Sequence, residues 1–304
     1  MRVLFLGTPS FALPSLEALA SRHGVVAVIT QPDRPAGRGR RLTPPPVAVR
    51  ARELGIPVLQ PDRLRDVRAQ VEALAPDLGV TVAYGKIIPR WLLDLPAHGC
   101  INLHPSLLPK YRGASPIQRA ILHGDAVTGV TVIRQTAELD AGDILAQREV
   151  PILPDDTAGT LEARLAQVGA RLLVEVVDAI GRGEARPAPQ DPAAASYFGK
   201  LTKEDGRIDW THPAAQIERH IRAMEPWPKA FTFRGGERVA IRRGRVVSDE
   251  GAPGCVLRLT EEGFVVGTGE GALEVVEVQP ASGRRMSAAD YARGHRLTVG
   301  EVLG

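Results

Sequence analysis

Apolar positions along the chain follow two periods, and the change from one to the other marks out its elements. Val3 to Leu6 is a short β-branched and apolar run that ends at Gly7-Thr8-Pro9. Leu13, Leu16 and Leu19 then return at helical spacing, which predicts a strand, a glycine turn and a helix. The alternation continues with a strand over Val25 to Thr30 and a helix over Val47 to Leu54, after the stop at Pro44-Pro45-Pro46. A short strand follows at Val58 to Leu59, then a helix over Val67 to Leu74 and a strand over Leu78 to Ala83. Strands alternating with helices argue for a mostly parallel sheet covered on both faces, with its active side beyond the carboxyl ends of the strands.

Cys100 to Leu103 reads as a further strand, Ile117 to Leu122 as a helix, and Val127 to Thr136 and Leu145 to Pro151 as extended segments. Thr160 to Gly181 carries Leu161, Leu165, Val168, Leu172, Val176 and Ile180 on one stripe, the pattern of a long amphipathic helix. From Gly181 to Ala195 the composition turns to Gly, Pro, Ala, Glu, Arg and Gln, which is linker material. Beyond it, a helix over Ala214 to Met224 stops at Pro226-Trp227-Pro228. Short strands follow at Ala230 to Arg234, Arg238 to Arg243, Gly254 to Thr260, Gly263 to Thr268 and Gly271 to Pro280. Glycine turns between short strands suggest a small barrel. The expected fold is α/β: a doubly wound, mostly parallel sheet over residues 1–182, a linker over 183–205, and a smaller carboxyl-terminal β-barrel domain over 206–304.

With 304 residues and 44% hydrophobic side chains the chain can bury a substantial core. Its opening is neither a signal peptide nor a spanning helix, and no stretch reaches the roughly 18 apolar residues of a membrane span. We expect a cytoplasmic protein with no membrane partner. Cys100 and Cys255 lie far apart, without the spacing of a disulfide framework or a thiolate metal site. The net charge of +3 is too modest to announce a polyanion ligand. Its distribution says more, because Arg34, Arg38, Arg40, Arg41 and Arg50 follow one another with no acid among them, and Arg234, Arg238, Arg242, Arg243 and Arg245 stand against Glu237 alone. Both clusters fit local attraction of a polyanion, and equally a solvated loop and hairpin.

Three segments can carry chemistry. Gly7-Thr8-Pro9-Ser10-Phe11 is a glycine turn feeding a helix, which leaves amides free, and it lacks the later glycines of a dinucleotide fingerprint. Asn102 and His104 stand two apart at the carboxyl end of a strand and so point the same way. His104 suits proton transfer or donation to an oxyanion, and Asn102 offers an amide donor to the same oxygen. A hydrogen-bonded corner is the alternative reading of this pair. In Glu138-Leu139-Asp140-Ala141-Gly142-Asp143 a carboxylate brought near His104 would fix its tautomer and, through a water, collect a proton; Asp143 equally fits a cap on the turn. No pair of histidines has the spacing of a catalytic metal site, so no metal is expected.

Asn102-Leu103-His104-Pro105-Ser106-Leu107-Leu108-Pro109, Gly113 and Leu139-Asp140-Ala141-Gly142-Asp143 resemble the motifs of the folate-dependent formyltransferases. The resemblance implies 10-formyltetrahydrofolate as co-substrate and a catalytic set of Asn102, His104 and Asp140. The closer similarity, nearly end to end, is to the branch of that family whose acceptor is methionyl-initiator tRNA. It implies that Tyr84, Gly85, Lys86, Ile87 and Ile88, with Ser106, Leu107, Leu108, Pro109, Leu139 and Asp140, line the folate pocket. It also implies that Gly7 to Phe11 (Gly7, Thr8, Pro9, Ser10, Phe11) and Arg34, Arg38, Arg40 and Arg41 of the insertion meet the acceptor end. Arg242 and Arg243, in an OB-like carboxyl-terminal barrel, would hold the tRNA backbone, and the protein would act as a monomer. Lys86 departs from the family pattern, in which an apolar residue is usual. Sugar-amine formyltransferases share the catalytic residues, and a catalytically silent RNA-binding module on the same scaffold is the reading from another class.

Overall fold

β-Branched and apolar runs form the centre of the first sheet, and glycines set how closely its layers approach. The protein is described here by a computed structural model covering residues 1–36, 39 and 41–304. Two compact units emerge, one of Met1–Pro116, Val127–Pro151 and Glu162–Phe198, the other of Ile117–Ala126, Ile152–Leu161 and Gly199–Gly304.

In the first unit, β1 (Arg2–Gly7) and β2 (Gly24–Ile29) precede a small hairpin of β3 (Arg34–Ala36) and β4 (Arg41–Thr43). Then come β5 (Val58–Leu59), β6 (Leu78–Val82), β7 (Cys100–His104), the two-residue β8 (Arg112–Gly113), β9 (Val127–Arg134), β10 (Ile144–Pro151) and β11 (Tyr197–Phe198). The main sheet has the order β10-β9-β7-β6-β1-β2-β5. It is parallel from β7 to β5 and antiparallel at β7–β9 and β9–β10. The chain winds outward from β1 to β5 and restarts with β6 on the other side of β1, so the strand order reverses between β1 and β6.

Helices α1 (Leu13–Arg22), α2 (Pro46–Glu53), α3 (Arg68–Ala73) and α4 (Arg90–Leu93) connect these strands. Leu4, Leu6, Ala27 and Ile29 pack in one buried cluster with Tyr84, Leu92 and Cys100. The long helix α6 (Ala158–Gly181), which follows α5 (Pro116–His123), comes close to β7: a Cβ at Gly169 would lie 2.7 Å from a methyl of Leu103. Gly79 plays the same part for Cys100, whose sulfur would lie 2.3 Å from an added Cβ. That thiol donates to the Leu92 carbonyl, and burial pushes its pKa up to about 12.

The helix expected over Val67 to Leu74 is a 3-10 turn, Leu64–Val67, followed by the shorter α3. The hairpin β3–β4, α4, and the paired β8 and β11 are absent from the hydrophobic pattern, because each is too short to show a period. Part of the segment read as linker folds onto the first unit: Ala188 exchanges both backbone hydrogen bonds with Ile144, and Phe198 accepts from Ala114.

The second unit is an antiparallel sheet curled into a half-barrel, with α7 (Ala214–Ala223) against it. Its strands are β12 (Phe231–Arg234), β13 (Glu237–Val247), β14 (Val256–Leu259), β15 (Phe264–Gly267), β16 (Ala272–Pro280) and β17 (Met286–Ser287), in the order β12-β13-β16-β15-β14 with β17 on β16. Gly235 and Gly236 both have positive φ and form the two-residue turn between β12 and β13, where other residues would be strained. Two register shifts around Arg243 bend the long strand β13. After α8 (Ala288–Gly294), the last residues bridge two separate strands: Glu301 accepts from Val256, Leu303 donates to Gly254, and Gly304 donates to Phe233. The α8 helix and this tail were not evident from the sequence pattern. Among the described residues no helix is long and apolar enough to cross a membrane.

The tail is fastened by Arg234, which holds Glu301 through two bonds of 2.7 and 3.0 Å. This bidentate pair lowers the Glu301 carboxyl to about 2. The pKa is lowered on folding, so the contribution is complete above pH 4.5 and disappears as the pH falls toward 2. Glu301→Gln is therefore expected to lower the melting temperature of the carboxyl-terminal unit at neutral pH. Melting curves from pH 6 to pH 2 should show the gap from wild type closing in that acid window; a gap independent of pH would refute the assignment.

Candidate active site

β7 ends in Asn102-Leu103-His104, and the pleat turns Leu103 toward α6 while Asn102 and His104 share the opposite face with Cys100. Asn102 is half-buried, and its carboxamide has no hydrogen-bond partner among the described residues. His104 is buried, and its Nε2 donates to the Tyr111 carbonyl at 2.9 Å. That bond places a proton on Nε2 and turns Nδ1 toward the Asp140 carboxylate, 3.7 Å away. The distance is an ionic contact and too long for a hydrogen bond.

The loop from Pro105 to Tyr111 is held by buried polar groups. Thr131 on β9, opposite His104 in the ladder, donates to the Ser106 carbonyl at 2.6 Å and accepts from the Leu108 amide at 3.1 Å and from Gln147 at 3.0 Å. Gln147 also donates to the Leu108 carbonyl, and the fully buried Ser106 hydroxyl donates to the Lys110 carbonyl. Tyr111 adopts a positive φ of 63°, with its amide fixed on the Ser196 hydroxyl. This is the residue whose carbonyl orients His104, so the strained backbone and the imidazole tautomer are linked.

Asp140 reaches this place by an indirect route. β9 runs antiparallel to β7, so the hairpin loop after it leaves beside Cys100: Gln135 donates to the Cys100 carbonyl. Asp140 nevertheless accepts from the Gly113 amide at 2.8 Å through the same oxygen that faces His104. Gly113 has φ of 94°, and an added Cβ would lie 2.5 Å from the Phe198 carbonyl, so only glycine fits there. Asp140 itself has φ of 50°, and the exposed Asp143 has its carbonyl tied to the Arg134 amide at the base of the hairpin.

At the reversal of strand order, Thr8 after β1 and Gln31 after β2 both donate to the Tyr84 carbonyl, at 3.0 and 2.9 Å. The next residue, Gly85, has φ of 80° and passes so close to Gln31 that a Cβ would meet its amide nitrogen at 2.8 Å. Tyr84 is buried, and burial pushes its phenol up to about 12. Lys86 folds back onto the carbonyls of Pro61 and Asp62, while Ile88 is buried and Ile87 is 92% exposed. Leu107 and Pro109 are half-buried, Leu108 is buried, and Leu139 is exposed. Gly7 and Phe11 are buried, whereas Pro9 and Ser10 are exposed in and before a 3-10 turn that precedes α1. Among the described residues no group of three His, Cys, Asp or Glu side chains could hold a metal ion.

The arginines separate into classes that the sequence could not distinguish. Arg34 and Arg41 are exposed on one face of the β3–β4 hairpin. Arg38 and Arg40 lie outside the described residues. In the second unit Arg243 is exposed, but Arg242 is buried and paired with Glu225 and Gln279. The Arg242 charge is thus engaged inside the unit rather than offered to a ligand, since successive residues of a strand point to opposite faces and only Arg243 is exposed. Thr131 and Gln147 are site-supporting residues that the motifs did not reveal; polar residues of this kind leave no periodic signal.

Two family descriptions match the chain: Formyl transferase over residues 1–177 and Formyl transferase, C-terminal domain, over residues 200–296. A methionyl-tRNA formyltransferase of Roseiflexus sp. is 50% identical over 311 residues, covering 100% of this chain and 95% of its relative. One from Thermus thermophilus is 49% identical over 307 residues, covering 100% and 99%. Among solved structures, HypX from Aquifex aeolicus in complex with tetrahydrofolic acid aligns with TM-score 0.69 and 22% identity, over 99% of this chain and 48% of that one. The N-formyltransferase from Helicobacter canadensis, solved with folinic acid and dTDP-3-aminofucose, aligns with TM-score 0.69 and 19% identity, over 91% and 98%. These two likenesses concern the fold.

Thr131→Val keeps shape and removes the one hydroxyl shared by two backbone groups of the loop and by Gln147 of β10. Stranding buried groups costs on the order of 1–3 kcal/mol for each one left unpaired. We expect a loss of at least about 2 kcal/mol in denaturant unfolding of the first unit. Unchanged stability would show that the loop does not depend on this hydroxyl.

Proposed function

The chain belongs to the methionyl-tRNA formyltransferases, a family of folate-dependent formyl-transferring enzymes, and from that premise we propose that it transfers the formyl group of 10-formyltetrahydrofolate to the amino group of methionyl-initiator tRNA. The observation that carries the chemistry is the Asn102 carboxamide, unengaged among the described residues, on the same strand face as a His104 held between the Tyr111 carbonyl and the Asp140 carboxylate. The folate is a co-substrate whose pocket we assign to the loops after β6, β7 and β9, where Ile87 of the first and Leu139 of the last leave apolar surface open to a ring.

The amine attacks the formyl carbon, a carbon–nitrogen bond forms, and the carbonyl electron pair moves onto oxygen. Asn102 and His104 stabilise that oxygen, with the Asp140 carboxylate, 3.7 Å from Nδ1, orienting the ring. This charge is larger in the intermediate than in the formamide, so the donors favour the intermediate over the substrate. Asp140 collects the proton lost by the amine through a water. Asp140 returns that proton through the water to N10 as the N10–carbon bond breaks and the oxygen's electron pair re-forms the carbonyl, and the formyl amide is released. No covalent enzyme intermediate is required.

Recognition of tRNA is assigned to Arg34 and Arg41 on the exposed hairpin, to Arg38 and Arg40 between them in sequence, and to Arg243 on the second unit. Arg242 is left out of this role because its charge is paired in the interior. The opening segment Gly7 to Phe11 is assigned to the acceptor end.

Labelled 10-formyltetrahydrofolate offered with methionyl-initiator tRNA, methionyl-elongator tRNA and an amino-sugar nucleotide tests the reading. Label on the initiator alone is expected; label on the sugar alone would refute the acceptor assignment and keep the chemistry. In the same assay Asn102→Ala, His104→Ala and Asp140→Asn should each lower kcat about 10²- to 10³-fold with smaller changes in KM. Near-normal turnover in any of them removes that residue from its role. Arg41→Ala should raise KM for tRNA and reduce the salt slope of kcat/KM by about 1; unchanged tRNA kinetics would exclude the hairpin from the interface.

A further inference from the structure

Asp140 belongs to a loop that departs from the wrong end of β7 and must come back to His104, in a left-handed backbone conformation that is uncommon outside glycine. Something outside the loop has to hold it there. Two carbonyls of the turn, those of Asp140 and Gly142, accept from the same group, the side-chain amide nitrogen of Gln190, at 2.8 and 2.7 Å. The other end of that amide, Oε1, accepts from Arg112 Nε at 3.1 Å and Nη2 at 2.8 Å. Every donor and acceptor site of the Gln190 carboxamide is thereby used, and its orientation is fixed by the network.

Arg112 directly precedes Gly113, whose amide holds the Asp140 carboxylate. Its guanidinium is buried, and its remaining arm donates to the Tyr197 hydroxyl at 2.5 Å. The segment carrying Gln190 is itself fastened on both sides. Ala188 pairs with Ile144 just after the turn, and residues 196–198 pair with residues 111–114 just after the His104 loop. Gln190 thus ties the backbone of the Asp140 turn to the backbone that presents Gly113, and both ends of the hydrogen bond positioning the carboxylate meet at one side chain.

We infer that Gln190, braced by Arg112, is a positioning residue for formyl transfer: it holds the Asp140 turn so that the carboxylate stands on Gly113 and faces His104. The inference rests on the formyltransferase reading for its catalytic half. A structural tie alone would need only an acceptor for Arg112, whereas positioning needs the two N–H donations to the turn. Gln190→Glu separates these roles. A carboxylate keeps its bonds to Arg112 and cannot donate, so it confronts the Asp140 and Gly142 carbonyls with negative charge.

The test uses the full chain, with wild type, Gln190→Glu, Gln190→Ala, Asp140→Asn and the Gln190→Glu/Asp140→Asn pair. Formyl transfer to methionyl-initiator tRNA gives kcat and KM, and the ¹⁵N-labelled Gly113 amide resonance reports the placement of the carboxylate without reference to activity. Gln190→Glu is expected to lower kcat on the order of 10- to 100-fold, as supporting partners of a reacting group do, with KM for folate and tRNA little changed. It should also displace the Gly113 resonance and add no further loss to Asp140→Asn. Gln190→Ala removes all four bonds without adding charge and should give the same sign if the charged variant folds poorly.

Wild-type kcat in Gln190→Glu, an unmoved Gly113 resonance, or a loss that multiplies that of Asp140→Asn would each overturn the inference. A wild-type protein that formylates no acceptor, while Gln190→Glu still displaces the Gly113 resonance, would overturn the proposed function and leave the tie standing.

Discussion

β9 enters the sheet against the direction of β7, and the site is organised around that reversal. In a wholly parallel sheet the loops that carry chemistry leave from one edge, and a strand-end pair such as Asn102 and His104 would meet its partners there without assistance. Here the loop supplying the carboxylate begins next to Cys100, at the opposite end of β7. The compensation is spread over glycine at 113, a left-handed aspartate, and a segment after α6 that returns to hold both. Strain at Tyr111 and Asp140 is maintained by polar groups that are almost entirely paired, which is the condition under which such conformations persist.

The two units manage charge in different ways. In the first, buried Arg112 is satisfied by neutral oxygens of Gln190 and Tyr197, so it shapes the site without neutralising the carboxylate nearby. In the second, Arg234, Arg242 and Arg245 are each paired with glutamate, Arg242 in the interior and Arg245 at the surface, so most of the arginine run in the sequence is matched by acids within the unit. Exposed cationic surface is therefore smaller than a count of arginines suggests, and what remains on the β3–β4 hairpin and at Arg243 is correspondingly more significant.

Much of this was legible in the sequence because the main strands and helices bury one face and so carry a period. Val3 to Leu6, Val25 to Thr30 and Thr160 to Gly181 each match an element within a few residues. The short pieces were not legible: β8 and β11 are two residues each and are defined by pairing across the chain, not by pattern. Asn102, His104 and Asp140 stood out as residue types and by family resemblance, but the path bringing Asp140 to His104 depends on strand direction, which side-chain alternation does not encode. Gln190 was invisible for a related reason. It lies in a proline- and alanine-rich stretch whose composition describes a linker, while its function depends on four specific bonds to distant backbone and side-chain atoms.

The close approach of Gly79 to Cys100 has a practical side. The thiol is enclosed and bonded to a carbonyl, and its pKa is pushed up to about 12 by burial, so alkylating reagents that require a thiolate find no nucleophile on β7. The other cysteine in the chain, Cys255, is only half-buried and sits in the second unit. A thiol-directed fluorophore or spin label attached to the unaltered protein would therefore mark the half-barrel and spare the formyl-transfer chemistry, giving a native handle for following the second unit during substrate encounter.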